Sequence, residues 1–139
     1  ADRCAGFVER MSALGIEVPE SHIIQNGFDA EAGMQAGRKL LQQKRGRPTA
    51  VFAVNDFTAI GLMGAIRAAG LQIGRDVAVA GYNDTPLAAV LPLPLTSVRS
   101  PMLQIGRQAA SHLAALLAGQ SVESVTFDPE LVVRESSAT

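Results

Sequence analysis

The sequence predicts an α/β fold in which a parallel sheet is flanked by helices on both faces, in three layers. Short apolar runs alternate along the chain with amphipathic stretches of helical length, which is the pattern of strand–helix–strand units. Two of the runs, "AVFAV" and "VAVAG", are apolar at successive positions, as in strands that are covered on both faces. Because right-handed crossovers join such strands, we expect them to lie parallel in one sheet.

The first part of the chain is predicted to form a helix, a strand, a second helix and a second strand. Residues 3–14 place apolar side chains on one helical face, and Gly15 is expected to end that helix. The run "HIIQNG" predicts a short strand. Asp29 is expected to cap a helix that continues to about Gln43, and the loop "RGRPT" then leads into "AVFAV".

The second part of the chain repeats this alternation. A helix is predicted from about Asp56 to Ala69, with Gly70 as its stop signal, and "VAVAG" follows as a strand. After the proline-rich bend "LPLPLTSVRS", a helix is expected over residues 101–118, with Ser100 as its N-cap and a proline at its first position. The runs "VTF" and "LVVRE" are predicted to close the chain as short strands.

Composition limits the classes of function. The 139 residues suit one ordinary domain, and 47% apolar residues are enough for a core. A formal net charge of −1 argues against a basic surface for nucleic acid or for a membrane. Cys4 is the single cysteine, so no internal disulfide can form, and no apolar run suits a signal peptide or a bilayer span. We therefore expect a cytoplasmic protein, and the start inside a helical pattern without methionine suggests a piece of a longer chain.

Two apolar runs stop in the same polar pair. Asn55 and Asp56 follow "VFAV", and Asn83 and Asp84 follow "VAVAGY". Ligands of open parallel sheets bind at the carboxyl ends of the strands, so both asparagines are expected to project into a ligand crevice. Asparagine suits the hydroxyls of a neutral ligand because its amide both donates and accepts. Asp56 and Asp84 are expected to cap the segments that follow, and the alternative is that both pairs are only helix caps and turn formers.

Six motifs carry a resemblance to a known family. In chain order they are "PTAVFAVND", "AIG", "GYND", "PLTSVRSP", "IGRQAASHL" and "PELVVRES". With these motifs the chain closely resembles the C-terminal lobe of the effector-binding domain in the lactose-repressor/galactose-repressor family of bacterial transcription regulators. The stretches "RCAGF" and "NGFDAEAG" extend the resemblance upstream, so that it covers essentially all 139 residues.

The resemblance implies the architecture of a type I periplasmic binding protein, with two α/β lobes around a ligand cleft and an N-terminal helix-turn-helix headpiece. Neither the headpiece nor the N-terminal lobe is expected in this chain. Residues 1–97 and 121–139 would form the core of the C-terminal lobe. Residues 98–120 would cross the hinge, and their helix would pack on the missing lobe or on a neighbouring chain.

The resemblance also implies an effector site made of Arg3, Phe28, Asn55 and Asn83. Arg3 would hold ligand hydroxyls with its planar fork of donors, and the alternative is a solvated arginine in a first helical turn. Phe28 would stack on a sugar or a base, and the alternative is a cover for the core. Asn83 departs from the family pattern, because members often carry aspartate at this position. The loss of that negative charge argues against a cationic effector.

The favoured function is therefore the ligand-sensing lobe of a transcription regulator, with repression as the expected direction. A small effector, a sugar or a related metabolite, would bind between the lobes and change how dimeric headpieces fit DNA. The alternatives are a periplasmic sugar-binding protein of a transporter and a small α/β enzyme. No phosphate loop, nucleophile elbow, dinucleotide turn or catalytic acid–base pair is recognisable, so we expect no catalysis and no cofactor. His22 and His112 have no metal-type partners in the sequence, so no metal site is expected.

The helix predicted over residues 56–69 has almost no polar face. One side would cover the sheet, and the other would need a partner. The next apolar segment, "TPLAAVL", could extend the same patch. In the resembling family these two segments lie at a dimer interface, so we expect a homodimer through Thr58, Leu62, Leu87 and Val90. The alternative is that neighbouring helices of the same lobe cover both sides.

Overall fold

The computed structural model describes residues 2–43 and 46–138. The strands are β1 (Ala50–Phe52), β2 (Ala78–Tyr82), β3 (Thr96–Arg99) and β4 (Glu130–Val132). They form one sheet in the order β1–β2–β3–β4, in which β1, β2 and β3 run parallel and β4 is antiparallel to β3. The predicted α/β class with a mainly parallel sheet is confirmed.

Two helices precede β1, and from there helices and strands alternate. The helices are α1 (Asp2–Ala13), α2 (Ala30–Leu41), α3 (Asp56–Ala68), α4 (Pro86–Val90) and α5 (Met102–Leu117), with a 3-10 turn at Glu20–His22. The Asp29 carboxylate accepts from the backbone N–H of Ala32 at 2.8 Å, which confirms the predicted cap of α2. Gly15 and Gly70 follow α1 and α3 with φ values of 74° and 75°, as expected of the glycines that end helices.

Two predicted strands and the cap predicted at Ser100 are wrong. Neither "HIIQNG" nor "VTF" pairs with a strand among the described residues. The first lines a space of about 990 Å³ together with α1 and β1, and the second lies beside α5. Neither segment pairs with the outer edge of β1 or of β4. The N-cap of α5 is Pro101, with ψ at 64°, and the helix begins at Met102. The prediction placed the cap at Ser100 and the first helical residue at position 101, one residue too early.

The core lies between α3 and the strands. The buried cluster is Ala53, Ala59, Leu62, Met63, Ile66, Ile73, Val77, Val79, Ala88 and Leu95. Val77 and Val79 have no exposed surface, and they alternate with half-buried residues as a sheet strand requires. The C-terminal segment is fixed to this core, because Ser136 Oγ donates to the carbonyl of Val79 and accepts from the backbone N–H of Thr96.

Helices α2 and α3 pack through glycine. A Cβ built on Gly61 would collide with the carbonyl oxygen of Ala30, and one on Gly33 would collide with that of Thr58. Glycine at these positions therefore lets the two helix backbones approach closely. This contact covers the side of α3 that does not face the sheet.

That packing corrects the expected dimer surface. Leu62 is 3% exposed and belongs to the core, so it is not available to a second copy, and Thr58 is half-buried with its backbone against α2. The sequence could not show that α2 would come so close. Leu87 and Val90 remain 43% and 74% exposed, and Phe57 at the start of α3 is 52% exposed.

Helix α5 has no buried residue. Its exposed apolar side chains are Met102, Leu103, Ile105, Leu113, Leu116 and Leu117. Phe127 and Val125 lie near it and border a groove of about 380 Å³ with Ile105 and His112. The partner expected for this helix stays a prediction. Within the described ranges, no helix combines the length and apolarity needed to cross a bilayer.

Gly61→Ala should lower the free energy of unfolding by about 1–3 kcal/mol or more, because the added methyl meets rigid backbone of α2. Gly64→Ala is the matched control in the same helix. Its Cβ would meet only the flexible end of Met34, at 3.3 Å, so helix propensity should make it neutral or stabilising by up to about 1 kcal/mol. Urea unfolding measures both, and equal values for the two variants would contradict the glycine contact.

Candidate functional site

Arg3 joins the carboxyl ends of β1 and β2. Its Nη1 donates to the carbonyl oxygen of Val54 at 2.6 Å, and its guanidinium carbon lies 3.9 Å from the centroid of the Tyr82 ring. Val54 directly precedes Asn55, and Tyr82 directly precedes Asn83. The first turn of α1 therefore brings a cation to the place where both Asn-Asp pairs begin.

Asn55 holds two segments together with one side chain. Its Oδ1 accepts from the backbone N–H of Thr58 at 2.8 Å, and its Nδ2 donates to the carbonyl oxygen of Phe28 at 2.8 Å. The cap of α3 is thus Asn55, and the prediction that Asp56 would cap this helix is wrong. The reason is backbone geometry, because Asn55 is extended, with φ at −157°, while Asp56 is already helical. One N–H of the Asn55 amide remains for a ligand.

Asp56 is a buried bridge, with 1% of its surface exposed. Its carboxylate accepts from Ser97 Oγ at 2.5 Å and from the backbone N–H of Thr85 at 2.6 Å. Ser97 Oγ also accepts from the backbone N–H of Asp84 at 3.0 Å. This network joins the start of α3, the loop after β2 and the strand β3. Gly81 makes room for it, because a Cβ there would lie 2.5 Å from the Asp56 carboxylate.

The loop after β2 has an uncommon backbone. Asn83 and Asp84 have φ values of 104° and 50°, in the left-handed region that Asn and Asp tolerate better than other non-glycine residues. The backbone N–H of Asn83 donates to the carbonyl oxygen of Val98 at 2.9 Å, which ties the loop to β3. The Asn83 side chain has no hydrogen bond to the described residues, so its amide is open to a ligand.

Asp84 is an ion-pair centre, so the expectation that it caps the following segment is wrong. Its side chain is 4% exposed, and its two oxygens lie 2.7 Å from Arg99 Nη2 and 2.7 Å from Arg134 Nη1. Thr85 takes the N-cap position of α4, without a side-chain cap bond. Arg99 lies on β3, and Arg134 follows β4. Both arginines contact the Asp84 carboxylate, which therefore turns toward them.

Burial of the Asp84 carboxylate disfavours its charged form and by itself would raise the pKa. The hydrogen bonds and positive charges of Arg134 and Arg99 outweigh that effect, so the pKa of Asp84 lies below its ordinary value of 3.8. The same pairing raises the pKa of the exposed Arg99. The Asp84 carboxylate therefore stays charged around neutral pH, and its ion pairs with Arg99 and Arg134 hold the loop beside Asn83 in place.

Four residues predicted for the effector site lie at one edge of the sheet. Asn55 and Asn83 follow neighbouring strands, Arg3 spans those strand ends, and Phe28 is held by Asn55 with 70% of its surface exposed. Sequence reasoning missed Tyr82, which supports the Arg3 guanidinium. The motif "GYND" contains this tyrosine, so the signal was present.

Sequence reasoning also missed the side chains behind the loop, Ser97 and Arg134. Both stand in quoted motifs, "PLTSVRSP" and "PELVVRES", but nothing local assigns them a partner 41 or 50 positions away. Within the part of the chain that the structure describes, no group of three His, Cys, Asp or Glu side chains is placed to hold a metal. His22 and His112 each contact a glutamine side chain instead.

Comparison with known proteins gives a consistent result. The profile of the periplasmic binding protein-like domain matches residues 1–137. The chain is 33% identical to the HTH-type transcriptional repressor PurR of Photobacterium profundum over 137 residues, which are 97% of this chain and 41% of that protein. It is 34% identical to the HTH-type transcriptional regulator DegA of Bacillus subtilis, covering 99% of this chain and 41% of that protein. The chain thus spans about two fifths of these relatives.

Solved structures show the same fold. A LacI-family regulatory protein from Chloroflexus aggregans matches with a TM-score of 0.88 and 34% identity, over 99% of this chain and 50% of that one. The transcriptional regulator CelR in complex with cellobiose matches at 0.89 and 34%, over 96% and 41%. The lac repressor dimer bound to operator and the anti-inducer ONPF matches at 0.87 and 29%, over 99% and 41%. The resemblance inferred from the sequence motifs is confirmed.

Asp84→Asn should lower the free energy of unfolding at pH 7 by about 1–3 kcal/mol, because two arginines lose their shared carboxylate. The substitution keeps a residue that tolerates positive φ. A depressed pKa stabilises the fold fully above the unfolded pKa near 4, and that contribution is lost as the pH falls through the folded pKa. The deficit of the variant should therefore shrink below about pH 4.

Urea titrations between pH 2 and 7 would measure this difference. Glu130→Gln is the control, since Glu130 is 68% exposed and contacts the same Arg99 at 3.2 Å, and it should change stability by less than about 0.5 kcal/mol. A deficit of Asp84→Asn that stays constant down to the lowest pH would show that the charge of Asp84 does not stabilise the fold.

Proposed function

Because this chain belongs to the family of periplasmic binding protein-like domains, we propose that it is the C-terminal effector-binding lobe of a LacI-family transcription regulator. The proposal places this lobe in a longer protein with an N-terminal lobe and a DNA-binding headpiece. The relatives support it, since PurR and DegA are HTH-type regulators and the chain matches about two fifths of each.

One observation carries the proposal. Arg3, Phe28, Asn55 and Asn83 come from four separate segments, and they meet at the carboxyl ends of two parallel strands. This is the edge at which open α/β sheets bind ligands. The edge combines an aromatic face, a cation and two amides, which is a small convergent set of polar groups beside an apolar surface.

The effector is proposed to be a sugar or a related small metabolite that lies between the two lobes. The CelR structure contains cellobiose, and its lobe has the same fold as this chain. Effector binding would change the relative orientation of the lobes, and the change would reach the headpieces on DNA. The lac repressor was solved as a dimer on its operator, which supports a homodimer and a DNA partner here. Such a regulator acts in the cytoplasm and performs no chemistry on its effector.

The proposed division of the chain follows from α5. The proposal assigns residues 1–97 and 121–139 to the core lobe and residues 98–120 to the hinge crossover and α5. Helix α5 has apolar side chains and no buried residue, and β3 continues past this boundary to Arg99. An apolar stripe of this kind is costly to leave in water, so it favours a partner. We assign that partner to the N-terminal lobe, with β3 and β4 leading to and from the hinge.

Arg3→Ala should remove effector sensing while leaving DNA recognition intact. The full-length protein incubated with sheared genomic DNA of its source organism should retain a few fragments, and a small-molecule extract of the same cells should change that retention. Arg3→Ala should retain the same fragments and need at least about tenfold more extract, a loss of about 1.4 kcal/mol. Arg67→Ala, an exposed arginine in the last turn of α3, is the matched control. Failure of the wild type to select DNA would contradict the proposed function.

The dimer surface is proposed to be the exposed apolar patch of Phe57, Leu87 and Val90. Val90→Glu should convert the chain to a monomer, because the new charge would be buried at a two-fold contact. Leu14→Glu adds the same charge to an equally apolar residue directly after α1, 57% exposed, and should leave the dimer intact. Sedimentation velocity at tens of micromolar separates the two states, and a wild-type monomer would remove this interface.

A further inference from the structure

Arg3 has no acidic partner among the side chains that the structure describes. The ion pairs of this part of the chain all belong to Arg99 and Arg134. Arg3 instead donates one hydrogen bond to the Val54 carbonyl and lies over the Tyr82 ring. A guanidinium has five N–H groups, so most of its donors remain available. Neither partner neutralises its charge.

The two aspartates of the Asn-Asp pairs are already engaged. Asp56 is 1% exposed and accepts from Ser97 and from the backbone of Thr85. Asp84 has a side chain that is 4% exposed, and it lies between two arginines. Asp56 cannot turn to Arg3 without leaving the buried Ser97 hydroxyl without its acceptor, and Asp84 would have to leave both of its arginines. Within the two Asn-Asp pairs, no carboxylate is therefore left to pair with the guanidinium of Arg3 in the described part of the chain.

The amides add to this imbalance. Asn55 Oδ1 accepts one hydrogen bond in the cap of α3, and one of its N–H groups donates to Phe28, so one donor and one acceptor site remain there for a ligand. Asn83 adds its own oxygen and two N–H donors, while Arg3 retains four N–H donors and has no acceptor. Donors thus outnumber acceptors among the four residues that line the site. A ligand hydroxyl can accept hydrogen bonds from these groups, but few acceptors remain for the hydrogen bond that the hydroxyl itself donates.

We propose that the site selects an effector that carries a negative charge, such as a sugar acid or a sugar phosphate, over a neutral sugar. The inference rests on the proposed function and deepens it. A carboxylate or a phosphate accepts hydrogen bonds without donating, and its charge pairs with the guanidinium. Closure of a second lobe would remove water from Arg3, and a buried cation without a counter-charge is costly. An anionic ligand supplies that counter-charge.

The test uses the full-length protein and the metabolites of its source organism. The protein is dialysed against a small-molecule extract, and mass spectrometry identifies the retained compound and distinguishes a carboxylate from a phosphate. The structure predicts a compound with at least one negative charge at neutral pH. Retention of an uncharged compound would overturn this inference and leave the proposed function standing. Retention of nothing would overturn both.

Calorimetry with the retained compound then tests the charge directly. Asn83→Asp adds a carboxylate of the same size directly after Tyr82, whose ring contacts Arg3, and it should weaken binding of the anion at least tenfold by repulsion. Gln120→Glu adds the same charge at an exposed position beyond α5 and should leave the affinity unchanged. Equal affinities for the wild type and Asn83→Asp would contradict the proposal.

Discussion

The Asp56 carboxylate is the contact on which the candidate site depends. It is buried, and it accepts hydrogen bonds from the side chain of Ser97 on β3 and from the backbone of Thr85 after β2. A buried carboxylate is tolerated only when such donors replace water. The start of α3, the loop after β2 and the strand β3 are thereby held at fixed separations. Asn55 precedes Asp56, and Asn83 lies in the loop that Asp56 holds, so the hydrogen bonds of Asp56 fix the relative positions of the two asparagines.

Two further constraints position the remaining site residues. Close glycine packing sets α2 against α3, so that the loop before α2 can offer the Phe28 carbonyl to the Asn55 amide. The pair of arginines around Asp84 holds the loop after β2 in a left-handed backbone conformation that would otherwise be unfavourable. The polar edge of the sheet is thus a consequence of tertiary packing, and its ligand-facing groups are those that the packing leaves free.

The sequence predicted most of the fold because local signals decide it. Apolar runs of strand length, the cap at Asp29 and the glycines that end α1 and α3 all depend on near neighbours in the chain. Prediction from the sequence failed where contacts with residues far along the chain determine the structure. "HIIQNG" and "VTF" have the composition of strands but do not pair with the outer edge of β1 or of β4, and Leu62 is covered by α2, whose approach depends on two glycines.

Sequence reasoning was also only half right about the two Asn-Asp pairs. The position of both pairs at strand ends followed from the pattern, and the structure brings them to one edge of the sheet. The roles inside each pair could not be read from composition, because Asn and Asp both serve as caps. Backbone geometry gives the cap of α3 to Asn55, and partners far along the chain, Ser97 and Arg134, engage the two aspartates.

The central claim is that the carboxyl ends of β1 and β2 form the ligand site of this lobe. A crystal structure of the full-length protein with its effector bound tests it most directly. We expect the bound molecule within hydrogen-bond distance of Arg3 and Asn83, with the Phe28 ring against its apolar face. An effector bound at another place, such as the groove between α5 and Phe127, with no contact to these residues, would contradict the claim.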